Sequence, residues 1–289
     1  MGNNMTSIGF IGAGTVATAL AISLNGKGYP VTAVSSRSPE SAGKLAGLVK
    51  GCKACNDNQE VADNAGLVFI TTPDDAIASV AAQIEWHTGQ YAVHCSGADS
   101  TDILKPAREA GAVAGVFHPL QTFAIASQAV DSIPGTTFAV EAEEPLLSIL
   151  KEMAAALEGH CVEIEAGDKT IYHAAAVFTC NYLVTLVKLS TDLWQTFGIP
   201  REQAIRALMP LLRGTIDNID TIGLPQCLTG PIARGDTGTI NKHLAALQKA
   251  APEMIATYRE LGLKTIPIAR AKGKINDKQA EELEAVLSK

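Results

Sequence analysis

The chain has 289 residues, long enough for two domains and a sizeable core. No uncharged apolar run of about 18 residues appears, and the start MGNNMTS lacks the basic region of a secretory signal, so neither a membrane span nor secretion is expected. The formal net charge of −7, without a basic block, argues against a nucleic-acid partner.

The first half of the chain alternates strand and helix patterns. Predicted strands cover Ile8–Ile11, Val31–Ser35, Leu67–Pro73, Tyr91–Cys95, Ala112–Pro119, Thr137–Glu141 and Cys161–Glu165. Predicted helices cover Val16–Leu24, Pro39–Leu48, Asp74–Ile84, Thr101–Glu109 and Pro145–Leu157. Continuous apolar runs between helices are typical of strands covered on both faces. The alternation therefore predicts an α/β fold with a doubly wound parallel sheet.

The pattern changes after Ala166, so we predict domains of residues 1–166 and 167–289. The segment Gly167–Gly198 lacks proline and is apolar around its circumference, which indicates a helix buried inside a helical domain or a dimer. Further helices are predicted at Arg201–Asp217, Gly238–Ala250, Pro252–Leu261 and Lys278–Leu287.

The opening stretch IGFIGAGTVATAL places a GxGxxA motif between the first strand and the first helix. Gly12 permits the tight turn, Gly14 lets the backbone approach a pyrophosphate, and Ala17 allows close helix packing. Free N–H groups at the helix start favour the anion. We therefore predict a dinucleotide site rather than a bare turn. The expected contacts are Gly12, Ala13, Gly14, Thr15 and Val16.

The end of the second strand bears on the choice of cofactor. It reads SSRSPE, and Ser36, Arg37 and Ser38 suit a 2′-phosphate because a guanidinium binds phosphate in a planar fork. Glu40 lies one turn too late to bond the ribose. NADP is the predicted cofactor, with NAD as the alternative. A solvated loop in which Ser38 caps the next helix is the structural alternative.

Two later strands also end in small or polar residues. Ligands of open α/β sheets bind outside the carboxyl ends of the strands. We expect the nicotinamide to be bordered by Thr72, Pro73, Ser96 and Gly97. Each of these residues is also an ordinary turn former.

Five stretches carry a family resemblance across nearly the whole chain. They are GFIGAGTVATAL, HCSGADSTDIL, GVFHPLQTF, YHAAAVFTCNYL and LTGPIARGD. With them the chain resembles bacterial proteins that join a Rossmann-like domain to a C-terminal domain of unknown function. It is more distantly similar to pyrroline-5-carboxylate reductase, ketopantoate reductase and the β-hydroxyacid dehydrogenases. The resemblance implies an N-terminal NADP-binding Rossmann domain, an all-helical dimerising C-terminal domain of the 6-phosphogluconate-dehydrogenase-like type, and a substrate cleft between them.

Candidates for proton transfer lie on the predicted long helix and at a strand end. His173, Val177 and Asn181 recur every four residues and so share a face. The β-hydroxyacid dehydrogenases carry Lys and then Asn at this spacing; Asn181 matches, but Val177 stands where Lys would be. His173 is a possible replacement acid, with Lys169 a weaker one, and His118 beside Pro119 is a third candidate. The alternative is that these are satisfied structural groups.

The stretch LTGPIARGD resembles the substrate-carboxylate loop of pyrroline-5-carboxylate reductase. Thr229 and the Gly230 backbone are expected to donate to a carboxylate, and Arg234 to pair with it. Asp236 is a candidate helix cap.

These features predict an NADP-dependent oxidoreductase that reduces a small carboxylate-bearing ketone or imine, with a ketopantoate-like 2-oxoacid as first choice. A deazaflavin-dependent NADP oxidoreductase and a non-catalytic NADP-binding regulator stay open as alternatives. The lone CxxC of Cys52 and Cys55 lacks the further ligands that zinc needs, so no metal is expected. Scattered cysteines favour reduced thiols in a cytoplasm. The resemblance and the apolar helix favour a homodimer, and the expected partner is a small-molecule substrate.

Overall fold

The computed structural model describes residues 6–289, without the side chains of residues 126 and 127. The chain divides into two units: the first ends at Cys180, and the second covers Asn181–Lys289. This division falls one helix later than the boundary predicted at residue 166. The strands, all in the first unit, are β1 (Ile8–Ile11), β2 (Val31–Ser35), β3 (Lys53–Ala54), β4 (Leu67–Ile70), β5 (Tyr91–His94), β6 (Val113–Leu120), β7 (Thr137–Ala142) and β8 (His160–Glu163).

Helices alternate with these strands, as the sequence predicts. They are α1 (Thr15–Gly26), α2 (Pro39–Leu48), α3 (Asn58–Asp63), α4 (Asp74–Ala82), α5 (Lys105–Glu109), α6 (Ala126–Ala129), α7 (Leu146–Ala156) and α8 (Lys169–Thr179). The short elements β3 and α3 were not predicted, because two and six residues are too few to establish a periodic pattern.

The strands form one sheet in the order β3-β2-β1-β4-β5-β6-β7-β8. The pairs from β3 through β6 are parallel, which confirms the predicted doubly wound sheet. β7 pairs with β6 in the antiparallel sense, and β8 runs parallel to β7. The chain leaves β1 in both directions across the sheet, first to β2 and later to β4. This is the switch point at which such sheets bind ligands.

Aromatic side chains form a continuous row through the core of the first unit. Phe10 stacks on Phe69 at a centroid distance of 5.1 Å, and Phe117 stacks on Phe138 at 4.5 Å. Phe69 and Phe117 lie 5.9 Å apart and join the two pairs, and all four rings are buried. Such contacts contribute about 0.5–1.5 kcal/mol each beyond area burial. They hold β1, β4, β6 and β7 in fixed positions beneath the carboxyl ends of the strands.

The second unit is helical. Its helices are α9 (Asn181–Gln195), α10 (Arg201–Ile222), α11 (Thr237–Ala250), α12 (Ile255–Ala271) and α13 (Asp277–Leu287). A small apolar core joins α11, α12 and α13 through Ile240, Ile266 and Leu283. Between α12 and α13, Asn276 and Gln279 form a reciprocal capping box.

The prediction of a single buried helix over Gly167–Gly198 is wrong for this chain by itself. The helix is interrupted at Cys180, and the buried residues of α8 and α9 are the polar Lys169 and Thr191. Apolar side chains such as Ile171 and Val184 are 70% and 68% exposed. The segment Ala166–Gln195 has the length and mean hydropathy, 1.3, of a possible membrane-spanning helix. An all-round apolar surface shows that a helix needs cover, but not what covers it.

Candidate functional site

The glycine turn joins β1 to α1 in the form that the GxGxxA motif predicts. Gly12 has φ +106°, and a Cβ there would lie 2.8 Å from the Thr71 carbonyl group, so only glycine fits. The Thr71 hydroxyl lies 3.2 Å from the Ile11 carbonyl oxygen and 3.1 Å from that of Gly12, to which it can donate. The turn is therefore fixed against the end of β4. Ala17 is fully buried, as expected for close helix packing.

The N-terminus of α1 is open in front of Gly14. A Cβ on Gly14 would meet no atom within 4 Å, and no side chain caps the helix. The first N–H groups of α1, from Thr15 onward, have no side-chain hydrogen-bond partner among the described residues. An anion fits here because these donors and the helix dipole both favour negative charge.

The loop after β2 contains the residues predicted to select the cofactor. Ser38 caps α2 by accepting a hydrogen bond from the Ser41 N–H at 3.3 Å, as the structural alternative proposed. Ser36 Oγ accepts from the Ser38 N–H at 3.4 Å. Arg37 is exposed and has no ion pair within residues 6–289. Its guanidinium stays available to a ligand beside the glycine turn.

At the end of β4, Thr72 contributes an unusual polar atom. Its Oγ1 is buried and has no hydrogen-bond partner among the described residues. Pro73 follows as the N-cap residue of α4. A buried hydroxyl without a partner costs free energy, so a ligand that bonds to it here would relieve that cost. This atom lies on the β4 side of the switch point, opposite Arg37 on the β2 side.

Ser96, predicted to border the nicotinamide, is engaged by its own loop. Its Oγ lies 2.9 Å from carboxylate oxygens of Asp74 and Asp99, and it accepts N–H groups of the same loop. Its carbonyl accepts from Lys169 Nζ at 2.9 Å. The Ser96 side chain therefore shapes the loop, and the neighbouring Gly97 is buried.

Two imidazoles enclose Gly97. A Cβ on this residue would lie 2.7 Å from His173 Cδ2 and 2.8 Å from His118 Nε2. The two rings lie 6.4 Å apart at 80°. The structure therefore brings together three residues that the sequence analysis predicted for the site: Gly97 after β5, His118 on β6 and His173 on α8.

Tyr172 completes this group and was not among the predicted site residues. Its hydroxyl lies 2.8 Å from His118 Nδ1, and the two rings meet edge-on at 5.7 Å. The available signal was helical spacing. Lys169, Tyr172 and His173 stand at i, i+3 and i+4, so they share one face of α8.

Burial controls the protonation states of His118 and Tyr172. It lowers the pKa of His118 to about 4, helped by the nearby positive charge of Lys169 and by His173 and His94. Burial also raises the pKa of Tyr172 to about 12. At neutral pH the pair therefore consists of a neutral imidazole and a protonated phenol.

Lys169 and His94 are buried and form hydrogen bonds to the backbone of Ser96, in the loop after β5. Lys169 is 1% exposed, and burial lowers its pKa against the opposing effect of Glu141, Cys95, Asp99 and Asp74.

His94 is fully buried: Nδ1 accepts from the Ser96 N–H at 3.1 Å, and Nε2 lies 3.1 Å from the Ser100 carbonyl. Burial lowers the pKa of His94 to about 4.

The remaining predicted residues belong to other elements. Val177 lies on α8 with His173, whereas Asn181 is the first residue of α9 and opens the second unit. The break at Cys180 means that the helical spacing of His173, Val177 and Asn181 does not run through one continuous helix.

The stretch LTGPIARGD forms a structured turn in the second unit. Thr229 lines a pocket of about 370 Å³ with Ile232, His243 and Tyr258, and Gly230 has φ +97°. Arg234 is exposed.

Asp236 caps α11, as predicted, by accepting from the Thr239 N–H at 2.9 Å. The Thr239 hydrogen bonds, and to a smaller extent the charge of Arg234, lower the pKa of Asp236.

No group of three or more His, Cys, Asp or Glu residues with the arrangement of a metal site occurs in the described chain. All six cysteines are free thiols. Burial, with Cys55 nearby, raises the pKa of the Cys52 thiol to about 11.

Comparison with known families separates the chain into two matching parts. Residues 2–119 match the model of a Rossmann-like domain, and residues 136–265 match a domain of unknown function, DUF2520. Together the two matched ranges span most of the chain. No curated protein matches it.

Solved structures are similar over nearly the full length. A Bacteroides fragilis protein, described as a candidate NADP oxidoreductase, is 28% identical with a TM-score of 0.71, covering 94% of this chain and 99% of its own. A Thermotoga maritima protein is 27% identical with a TM-score of 0.74, covering 91% and 99%. The NADP-bound pyrroline carboxylate reductase of Plasmodium falciparum is 15% identical with a TM-score of 0.60, covering 99% of both chains, and is similar in fold alone.

Proposed function

We propose that this protein is an NADP-dependent oxidoreductase that reduces a small ketone or imine carrying a carboxylate. The open helix N-terminus at Gly14 carries the proposal, because it provides space and N–H donors for a pyrophosphate at the switch point of the sheet. The similarity to the Bacteroides fragilis protein, described as a candidate NADP oxidoreductase, supports the choice of cofactor.

The proposed cofactor contacts extend to both sides of the glycine turn. Ser36 and Arg37 after β2 would hold the 2′-phosphate, and the unpartnered Thr72 hydroxyl would bond the nicotinamide half. When bound, the nicotinamide supplies the hydride. The task left to the chain is to orient the substrate and to provide a proton donor at the atom that becomes negatively charged.

The proposed contacts to the substrate carboxylate come from residues of the second unit. Arg234 is exposed, and Thr229 adjoins a pocket, so both are available to an anion. Asn181 stays a predicted site residue on the strength of the resemblance. A ketopantoate-like 2-oxoacid is the first substrate class to test, and a cyclic imine carboxylate is the second.

We further propose that the chain forms a homodimer through α9 and α10. Val184 and Leu211 are 68% and 69% exposed, and a groove of about 230 Å³ between these helices is lined by Leu183, Val187 and Leu212. Apolar surface of this kind marks an interface. Light scattering in detergent-free buffer should give twice the mass of 30.2 kDa; a stable monomer, or a protein that stays dispersed only in detergent, would contradict the dimer.

Calorimetry with ligand-free protein tests the cofactor assignment. NADPH should bind more tightly than NADH, and Arg37→Ala should weaken NADPH binding by about 10- to 100-fold, the value of a charged hydrogen bond, with little change for NADH. Gly14→Val should prevent both from binding, because the new side chain fills the pyrophosphate space. Equal losses for both cofactors in Arg37→Ala would reject the 2′-phosphate contact.

A panel of 2-oxoacids and cyclic imines, with ketopantoate first, would then be screened for NADPH oxidation. Failure of either nucleotide to bind would reject the proposed function. Tight NADPH binding without turnover of any carbonyl or imine would favour a regulatory protein.

A further inference from the structure

We propose that Tyr172 is the proton donor of the reaction and that His118 is the residue that positions it. The inference rests on the proposed function and adds a catalytic residue to it. Its basis is the direct hydrogen bond between the Tyr172 hydroxyl and His118 Nδ1, at 2.8 Å, beside the Gly97 backbone.

The order of the strands places this pair at the reacting end of the predicted cofactor site. Arg37 follows β2, the glycine turn follows β1, Thr72 follows β4 and Gly97 follows β5, and these strands are neighbours in that order. Neighbouring strands lie about 4.8 Å apart. A dinucleotide with its 2′-phosphate at Arg37 and its pyrophosphate at β1 therefore extends its nicotinamide toward β4 and β5. Gly97 and the rings that touch it lie on that side.

The direction of the hydrogen bond decides what Tyr172 can do. A neutral imidazole carries one N–H. If His118 Nδ1 accepts, the phenol proton is held by the imidazole. If Nδ1–H donates to the phenol oxygen, the Tyr172 proton is left for a ligand. In the described part of the chain the hydroxyl has no hydrogen-bond partner besides His118. The proposal therefore requires the Nδ1–H tautomer of His118.

The surroundings keep His118 neutral and so suit it to this role. Lys169, His173 and His94 all act against its protonation, and burial acts in the same direction, so that its pKa is lowered to about 4. The charged groups around Lys169 are Glu141, Asp99 and Asp74, which favour its ammonium form. A neutral His118 can donate from Nδ1 to the phenol oxygen, and this donation stabilises the phenolate that remains after proton transfer.

The proposed proton transfer moves the phenolic proton of Tyr172 to the substrate. A bound reduced nicotinamide would supply a hydride to the substrate carbon, so that the C=O or C=N π electrons would move to oxygen or nitrogen. The Tyr172 O–H bond breaks as a new O–H or N–H bond forms on that atom. The resulting phenolate accepts the Nδ1–H hydrogen bond of His118 and then recovers a proton from water. The net change is addition of one hydride and one proton to the substrate.

The first test reads the tautomer directly and needs neither cofactor nor substrate. Long-range ¹H–¹⁵N spectra of protein with ¹⁵N-labelled histidine, assigned with His118→Asn, should show a proton on Nδ1 of His118 at neutral pH. A proton on Nε2 would overturn the proposal. This result is independent of NADPH binding. A proton on Nε2 would therefore overturn the role of Tyr172 while leaving the proposed function intact, and failure to bind NADPH would reject the proposed function whichever tautomer is found.

The second test uses turnover with NADPH and ketopantoate, or the imine reduced in the screen. Tyr172→Phe should lower kcat by about 10²- to 10⁴-fold, the usual contribution of a general acid, with NADPH affinity unchanged by calorimetry. Tyr91→Phe makes the same change at the amino end of β5, away from the site, and should leave kcat unchanged. Unaltered kcat in Tyr172→Phe, or a comparable loss in Tyr91→Phe, would overturn the proposal.

Two variants of His118 separate positioning from packing, and a variant of His173 tests the other imidazole. His118→Asn keeps an N–H donor near the Nδ1 position and should retain more turnover than His118→Leu, which has none. Equal losses would indicate that His118 only fills space. His173→Gln should reduce kcat less than Tyr172→Phe; a larger loss would move the proton donor to His173.

Discussion

Each unit of this protein contains a histidine–tyrosine pair, and the two pairs have nearly the same geometry. Nδ1 of His118 lies 2.8 Å from the Tyr172 hydroxyl with rings 5.7 Å apart at 90°, and His243 lies 2.8 Å from Tyr258 with rings 5.9 Å apart at 86°. They differ in environment. His118 is half-buried among basic groups, whereas His243 is exposed. Hydrogen-bond geometry alone therefore does not distinguish the proposed proton-donor pair from the pair in the second unit.

The difference comes from the elements that hold each pair. The first is assembled from β6 and α8, residues 54 apart in the chain, with Gly97 packed against both histidines. The second joins α11 to α12 across 15 residues, at the side of an open pocket. Desolvation in the first case separates the two pKa values, lowering that of His118 to about 4 and raising that of Tyr172 to about 12.

The largest expected effect is a loss of stability in acid. His94 and His118 have their pKa lowered from 6.5 to about 4. Between these values the unfolded chain binds more protons than the folded chain, so the free energy of unfolding should fall as the pH falls from 6.5 to 4. The total is on the order of a few kcal/mol.

Urea unfolding across this pH range measures the loss. His118→Gln should flatten the dependence, because one of the two groups no longer titrates. A slope equal to that of the wild type would show that His118 is not desolvated, and the contrast between the two pairs would then disappear.

Gly97→Ala should have the next largest effect. A methyl group at this position would lie within 3 Å of both His118 and His173, and overpacking of this kind costs about 1–3 kcal/mol. Gly43→Ala, within α2 and with no atom within 4 Å of the new Cβ, is the matched control and should be neutral or slightly stabilising. Urea unfolding compares the two. An equally well tolerated Gly97→Ala would mean that the rings move freely, and the Tyr172 hydrogen bond would then not be held by packing.

The smallest effect compares the two tyrosines directly. Tyr172→Phe leaves the half-buried His118 without its partner and should cost about 1 kcal/mol of unfolding free energy. Tyr258→Phe should cost a few tenths, because water replaces the lost partner of the exposed His243. Thermal and urea unfolding at neutral pH give both numbers. Equal costs would show that burial does not set the strength of these bonds.

Local sequence patterns predicted most of the first unit. The glycine turn and the capping role of Ser38 in this unit, and the capping role of Asp236 in the second unit, depend on residues that are close together in sequence, and the structure has each of them. The pairing of His118 with Tyr172 could not be predicted in this way, because it depends on where α8 lies against β6. The helix break at Cys180 was also missed, since neither proline nor glycine marks it.

The apolar segment that forms α8 and α9 shows a second limit of prediction from sequence. Its composition predicted a buried helix, but apolar side chains such as Ile171 and Val184 are exposed in the structure of this chain. Lys169 gives a second example. The sequence analysis treats it as the weaker candidate for the acid on an apolar helix, and in the structure it is one of the most buried residues of the first unit. Position in the fold, and not residue type, decided its environment.

The length of β6 has a consequence for how the site is specified. β6 has eight residues where β5 has four, and His118 stands opposite Ala139 of β7, two residues beyond the position that pairs with His94. The histidine thus belongs to a hydrogen-bonded ladder and not to a loop. Inserting one residue ahead of it would turn its ring to the opposite face of the sheet. The position of His118 is therefore set by the register of β6. Many substitutions in β6 preserve this register, but an insertion or deletion of one residue changes it.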